Sequence, residues 1–162
     1  KDLFFALSHG VNFGKLKKGK SDERENFIDN LMQLFPNLKY NILGISNELP
    51  KWNYNFYNEL AKCKMSLNLS RGKPLKYTSS NRIAALVGNG IFTFIDINTK
   101  FNDFFDDNEV GFYKNVKDLG NKIEYLLKYP KKINEYGKRG KEKYFKLFNN
   151  KIITKKIIEK TF

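Results

Sequence analysis

The sequence predicts an α/β fold: a parallel β-sheet flanked by helices, running into a helical C-terminus. Three observations carry this. Short β-rich runs recur along the first two thirds of the chain, each closed by glycine or small polar residues. Amphipathic stretches of about 10–15 residues separate them, which is the alternation of parallel βαβ units. At 41% hydrophobic and 15% aromatic, 162 residues can bury one domain's core, and no apolar run approaches the length of a membrane span.

The elements follow in order. Leu3 to Ser8 reads as a buried strand, followed by the Gly/Lys-rich loop HGVNFGKLKKGK. Ser21 or Asp22 caps the next helix, and Asp22 with Glu25 has capping-box spacing. Phe27, Ile28, Leu31, Leu34 and Phe35 form its apolar stripe, and Pro36-Asn37 ends it. Leu38 to Ile45 is the second strand, Asn53 to Lys64 the second helix and Met65 to Ser70 the third strand. A loop from Arg71 to Tyr77 leads to a helix starting near Ser80, stopped by Gly88-Asn89-Gly90. Ile91 to Ile95 is the fourth strand, Lys100 to Phe105 a short helix and Val110 to Tyr113 the fifth strand. The remainder is helical, with an amphipathic segment that stops at Pro130. The order is β-α-β-α-β-α-β-α-β-α-α.

A parallel sheet of this kind binds ligands beyond the carboxyl ends of its strands. That edge gathers Ser8-His9-Gly10, Gly44-Ile45-Ser46, Ser70-Arg71-Gly72, Asp96, the end of Tyr113, and the segment Ser79-Ser80-Asn81-Arg82. Free N–H groups at a helix start, hydroxyls and an arginine together suit a phosphate. The same residues also read as an ordinary N-cap and a solvated arginine. Arg24, in the first turn of its helix, is either a second cation at this edge or a solvated helix residue. The Gly10 loop lets backbone approach a ligand but matches neither the dinucleotide fingerprint nor the P-loop. Trp52, Tyr54, Phe56 and Tyr57 have the chemistry to stack on a base, although aromatic residues at helical spacing are usually core.

Charge and composition set further bounds. A net charge of +13 fits nucleic acid, an anionic membrane surface or a phosphorylated ligand. General Lys and Asn richness accounts for part of it. One cysteine, Cys63, excludes an internal disulfide and a cysteine-built metal site; His9 is the only histidine. Asp106, Asp107 and Glu109 read as a turn. No carboxylate pair has a spacing that demands acid/base catalysis, and nucleophile motifs are absent.

The stretch from Asn58 onward, and more faintly Leu3 to Arg24, resembles the C-terminal half of GT-B glycosyltransferases. The group is the "glycosyl transferases group 1" type that includes spore-protein-like members. The resemblance rests on LNLS, then Arg82, Gly90, IFTFID, FNDFF, DDNEV, GFY, LGNKIEYLL and GKRGKEKYF in that order. It implies a Rossmann-like domain spanning residues 1–162, half of a GT-B architecture. Such a domain binds a nucleotide-sugar and transfers its sugar to a carbohydrate or lipid-linked acceptor, such as a bacterial cell-envelope polysaccharide. The N-terminal acceptor domain of such enzymes is not in this sequence. The chain opens directly on a strand, as a piece of a longer protein would, and transfer is expected only when the two halves are joined.

The resemblance places the donor diphosphate on Ser79, Ser80, Asn81 and Arg82, with Gly10 and Arg24 as second choices. Ile45, Ser46, Ser70 and Arg71 fall to the base or sugar. No metal or other cofactor is expected, because cations and helix N–H groups can stabilise the leaving diphosphate. The expected location is the cytoplasm, at the inner face of the membrane, with peripheral membrane contact. One departure stands out: the family's helix carries glutamate three residues after the arginine, and here that position is Ala85. The competing class is a non-catalytic Rossmann-like module that binds nucleic acid or anionic lipid through basic residues such as Lys138, Arg139, Lys141, Lys143 and Lys146. These spread around most of the helix circumference, which disfavours a nucleic-acid surface.

Overall fold

The computed structural model describes residues 1–7, 23–45, 48–78 and 81–161. Five strands form one parallel sheet: β1 (Leu3–Ala6), β2 (Tyr40–Leu43), β3 (Met65–Asn68), β4 (Phe92–Asp96) and β5 (Gly111–Tyr113). Their order is β2-β1-β3-β4-β5, and every neighbouring pair is parallel. The chain leaves β1 for one side of the sheet and returns to add β3 on the other. The β1/β3 junction is therefore the topological switch point, where open α/β sheets form their ligand crevice.

The described residues form six α-helices: α1 (Glu23–Leu34), α2 (Asn53–Ala61), α3 (Arg82–Leu86), α4 (Val116–Leu127), α5 (Pro130–Phe148) and α6 (Asn150–Thr161), the last of which buries no residue. The period-2 alternation of the strands sorts the core into two layers. Leu3, Phe5, Met65, Leu67, Phe92 and Phe94 pack with Ile28 and Leu31 of α1 and Leu119 and Ile123 of α4. Phe4 and Leu43 pack on the other face with Leu60 of α2 and Leu86 of α3. On that second face Ile95 and Phe112 join Ile83 of α3 and Phe101 and Phe105. In the apolar stripe of α1, Leu34 lies at the margin and is exposed.

The strands are shorter than their apolar runs. β2 stops at Gly44, whose φ of +81° turns the chain out of the sheet. The helix expected over Lys100 to Phe105 is two 3-10 turns, Ile97–Thr99 and Phe101–Asp103. Lys100 sits between them at φ 60°, and that left-handed residue prevents a continuous α-helix. Three helices, rather than two, follow β5. Pro130 both stops α4 and starts α5 at a position where its missing N–H costs nothing. Asn149 ends α5 with extended backbone (ψ 155°), and its side chain accepts from Ile152 N at 3.0 Å, capping α6.

The basic helix α5 crosses the amino end of β4, on the side of the sheet opposite the carboxyl edge. Ile133 near its start belongs to the first core layer, and Tyr144 and Phe148 near its end pack on the second. The crossing depends on Gly137, where a Cβ would collide with the carbonyl oxygen of Gly90. Gly90 in turn closes the 3-10 turn Val87–Asn89 in the left-handed region, at φ 81°.

Candidate functional site

Arg82, the first residue of α3, reaches back over the switch point. Its Nη1 donates to the Ala6 carbonyl oxygen at the end of β1, and its Nη2 donates to the Leu69 carbonyl oxygen just beyond β3, at 2.7 Å. The guanidinium also lies 5.5 Å from the centroid of the Phe5 ring. Carbonyls at strand ends lack a ladder partner, and a planar fork can satisfy two at once. Arg82 is thus half-buried and fixed across the crevice rather than solvated.

A cavity of about 400 Å³ opens beside it, within the range of small-ligand sites. Arg24, Lys51 and Arg82 bring positive charge to its wall, with Asn81 and Ala85 beside them. Arg24 is only 6% exposed, so the sequence reading of it as a solvated residue does not hold. Trp52, Phe56 and Tyr57 form the facing aromatic wall. Phe56 is anchored edge-on to Phe4, 5.3 Å away, and to Tyr57, also 5.3 Å away. Trp52 and Tyr57 are 57% and 47% exposed, so these aromatics are not core. Tyr54 points elsewhere, to solvent. Among the described residues lining this cavity there is no carboxylate.

Lys51 is held in place from behind. Its ammonium lies 2.8 Å from Glu59, which also binds Lys62 at 3.0 Å and the Asn41 amide at 3.1 Å. The two lysines and the amide hold the Glu59 carboxyl down at about 2. Sequence reading did not single out Lys51 or Glu59, because they lie eight residues apart on either side of a helix start and no local motif joins them.

A second cavity of about 260 Å³ lies at the ends of β3 and β4 and shares Arg24 with the first. Asn68, Ser70, Asp96 and Thr99 line it, together with Glu23. Glu23 Oε1 accepts from the Gly72 N–H and so clasps the loop after β3 onto α1. Asp96 Oδ1 accepts from Asn98 N at 2.8 Å, and Thr99 Oγ1 donates to the Asp96 carbonyl at 2.7 Å. In register with Asp96 is Tyr113, whose buried hydroxyl has no hydrogen-bond partner among the described residues. Burial, with the Asp96 charge adding, pushes that hydroxyl far above its ordinary pKa.

The structure therefore brings Arg24, Asn81 and Arg82 together on one cavity and Ser70 onto the adjoining one. Ile45 is packed in the core, its carbonyl accepting from Glu48 N at 3.0 Å, and it lines neither cavity. Arg71 is exposed and lines neither. Gly10, Ser46, Ser79, Ser80, His9 and the capping pair's Asp22 lie outside the described residues. α3 has only five residues before its 3-10 turn, so its dipole is smaller than that of a full helix. Asn81 makes no side-chain cap bond. Among the described residues, charge at this edge comes chiefly from side chains.

Among the described residues no three His, Cys, Asp or Glu side chains come together as a metal ligand set, and no helix is long and apolar enough to cross a membrane. On α5, Arg139 pairs with Glu135 and Lys143 lies 3.6 Å from Glu109. A family model described as glycosyl transferase-like matches residues 23–159 of the 162. No curated protein and no solved structure gives a significant match.

Proposed function

From the premise that the chain belongs to the glycosyl transferase-like family, we propose that it is the donor-binding half of a GT-B glycosyltransferase. In this reading it holds a nucleotide-sugar at the carboxyl edge of the sheet, and a second domain presents a carbohydrate or lipid-linked acceptor. The observation that carries the reading is Arg82 locked across the β1/β3 switch point beside the buried Arg24, in one cavity with Trp52 and Tyr57. The cations suit a diphosphate and the aromatic faces suit a nucleobase. Asn81 adds a neutral donor to the phosphates.

The chemistry follows from where charge grows. As the bond from the sugar's anomeric carbon to the diphosphate breaks, the electron pair and the negative charge go to the departing phosphate oxygen. Arg82 is already fixed by its carbonyl bonds and Arg24 already buried when this happens, so they stabilise the leaving group with little reorganisation. Lys51, pinned by Glu59, adds charge at the rim.

A thermal-shift screen of the folded chain with UDP-, GDP- and ADP-sugars tests the reading. One nucleotide class should raise the midpoint, with its parent nucleoside diphosphate doing the same. No shift with any of them, alongside a shift with single-stranded nucleic acid or anionic vesicles, would favour the basic-surface module instead.

A further inference from the structure

Two adjoining cavities on the carboxyl edge differ in chemical character. Trp52, Tyr57, Lys51 and Arg82 line the first, Asn68 and Asp96 line the second, and Arg24 lines both. The first cavity has no carboxylate among its described lining residues, whereas the second has two, Glu23 and Asp96. A nucleotide-sugar divides in the same way: an aromatic base with an anionic diphosphate, then a neutral sugar whose hydroxyls need acceptors. Carboxylates beyond Arg24 repel phosphate and accept from hydroxyls, so they would also set which end of the donor goes where.

Resting on the donor-site reading above, we infer that the cavity at the ends of β3 and β4 is the sugar subsite and that Asp96 is its specificity-determining acceptor. Its volume of about 260 Å³ suits one hexose unit. Of the two carboxylates, Glu23 is committed to the Gly72 N–H and closes the outer wall. Asp96 is half-buried and its Oδ1 is steadied by Asn98 N, which leaves Oδ2 oriented by the same rigid turn. Asn68, 5% exposed, and Ser70 supply further polar groups from β3 and the residues after it.

The test compares UDP, GDP and ADP with UDP-glucose, GDP-mannose and ADP-glucose by calorimetric titration of the full chain. Asp96→Asn retains the oxygen that caps Asn98 but replaces the second acceptor with a donor. It should weaken the sugar conjugate about ten-fold while leaving the parent diphosphate unchanged, as loss of a charge-assisted hydrogen bond would. In the unsubstituted chain, hexose ring protons should show intermolecular NOEs to the Thr99 methyl and Pro74, a readout that needs no variant. Equal weakening of conjugate and diphosphate, or NOEs from the hexose only to residues of the first cavity, overturns the sugar subsite alone. If no nucleoside diphosphate binds, the donor-site reading fails and this inference falls with it.

Discussion

Arg82 Nη2 and the Leu69 carbonyl oxygen lie 2.7 Å apart, and the same guanidinium also takes the Ala6 carbonyl, so one side chain joins the ends of two adjacent strands. A residue bonded in this way serves the fold whatever it binds. Removing it strands two half-buried acceptors.

Arg82→Ala should therefore destabilise the chain by roughly 1–3 kcal/mol, the range for losing hydrogen bonds to a charged group. Arg82→Lys should recover only part, because an ammonium cannot span both carbonyls in one plane. Urea unfolding of the three proteins measures this. Unchanged midpoints would mean that the carbonyl contacts contribute nothing net.

Gly137→Ala should be more damaging than a helix-interior Gly→Ala usually is. Alanine normally gains helix propensity, but here the methyl would meet the Gly90 carbonyl where α5 crosses β4. Overpacking of this kind typically costs about 1–3 kcal/mol. A rise in thermal midpoint would show that the crossing is looser than described.

Acid should loosen the rim of the first cavity. Glu59 sits at about 2 in the folded chain against 4.5 ordinarily. A lowered folded pKa contributes stability that is fully present above about 4.5 and is lost as pH falls toward 2. Asp2 acts in the same direction. Burial pulls its carboxyl up, but the Lys39 N–H and Lys64 outweigh that and hold it below the ordinary value. Glu59→Gln should flatten the stability-against-pH curve between pH 5 and pH 2, on the order of the window those values define. It should also free Lys51 from its ion pair. A slope identical to the parent's would dissociate Glu59 from acid sensitivity.

Trp52 is the only tryptophan in the chain, so its fluorescence reports on this wall alone. Nucleoside diphosphates should quench it. Trp52→Ala should weaken nucleotide binding by about 10- to 100-fold, in line with base–aromatic stacking of roughly 1–3 kcal/mol, and leave inorganic pyrophosphate binding unaffected. Quenching absent at saturation would remove the base from this wall.

The sequence made the sheet legible because each strand is a short β-rich run between helical stripes, and because parallel pairing follows from that alternation. Arg24 and Arg82 were visible as cations at strand-linked helix starts. Their burial was not, because Arg82 is fixed by carbonyls at Ala6 and Leu69, 76 and 13 residues away in sequence. The aromatic wall was left open between stacking and core for a related reason. Helical spacing joins Trp52 with Phe56 and Tyr54 with Tyr57, but Trp52 is the extended residue before α2, and only Phe56 of the group turns onto the sheet, where Phe4 meets it. The 3-10 pair near Lys100 was hidden because a left-handed lysine leaves no mark in composition.

The most direct measurement is an amide and indole chemical-shift map of the folded chain titrated with UDP, GDP and ADP. Binding at the carboxyl edge predicts perturbations at the Trp52 indole, Asn81, Arg82, Ala85 and the first turn of α1 around Arg24, with α5 and α6 unmoved. Perturbations confined to the lysines of α5 and α6, or none at saturating nucleotide, would contradict it.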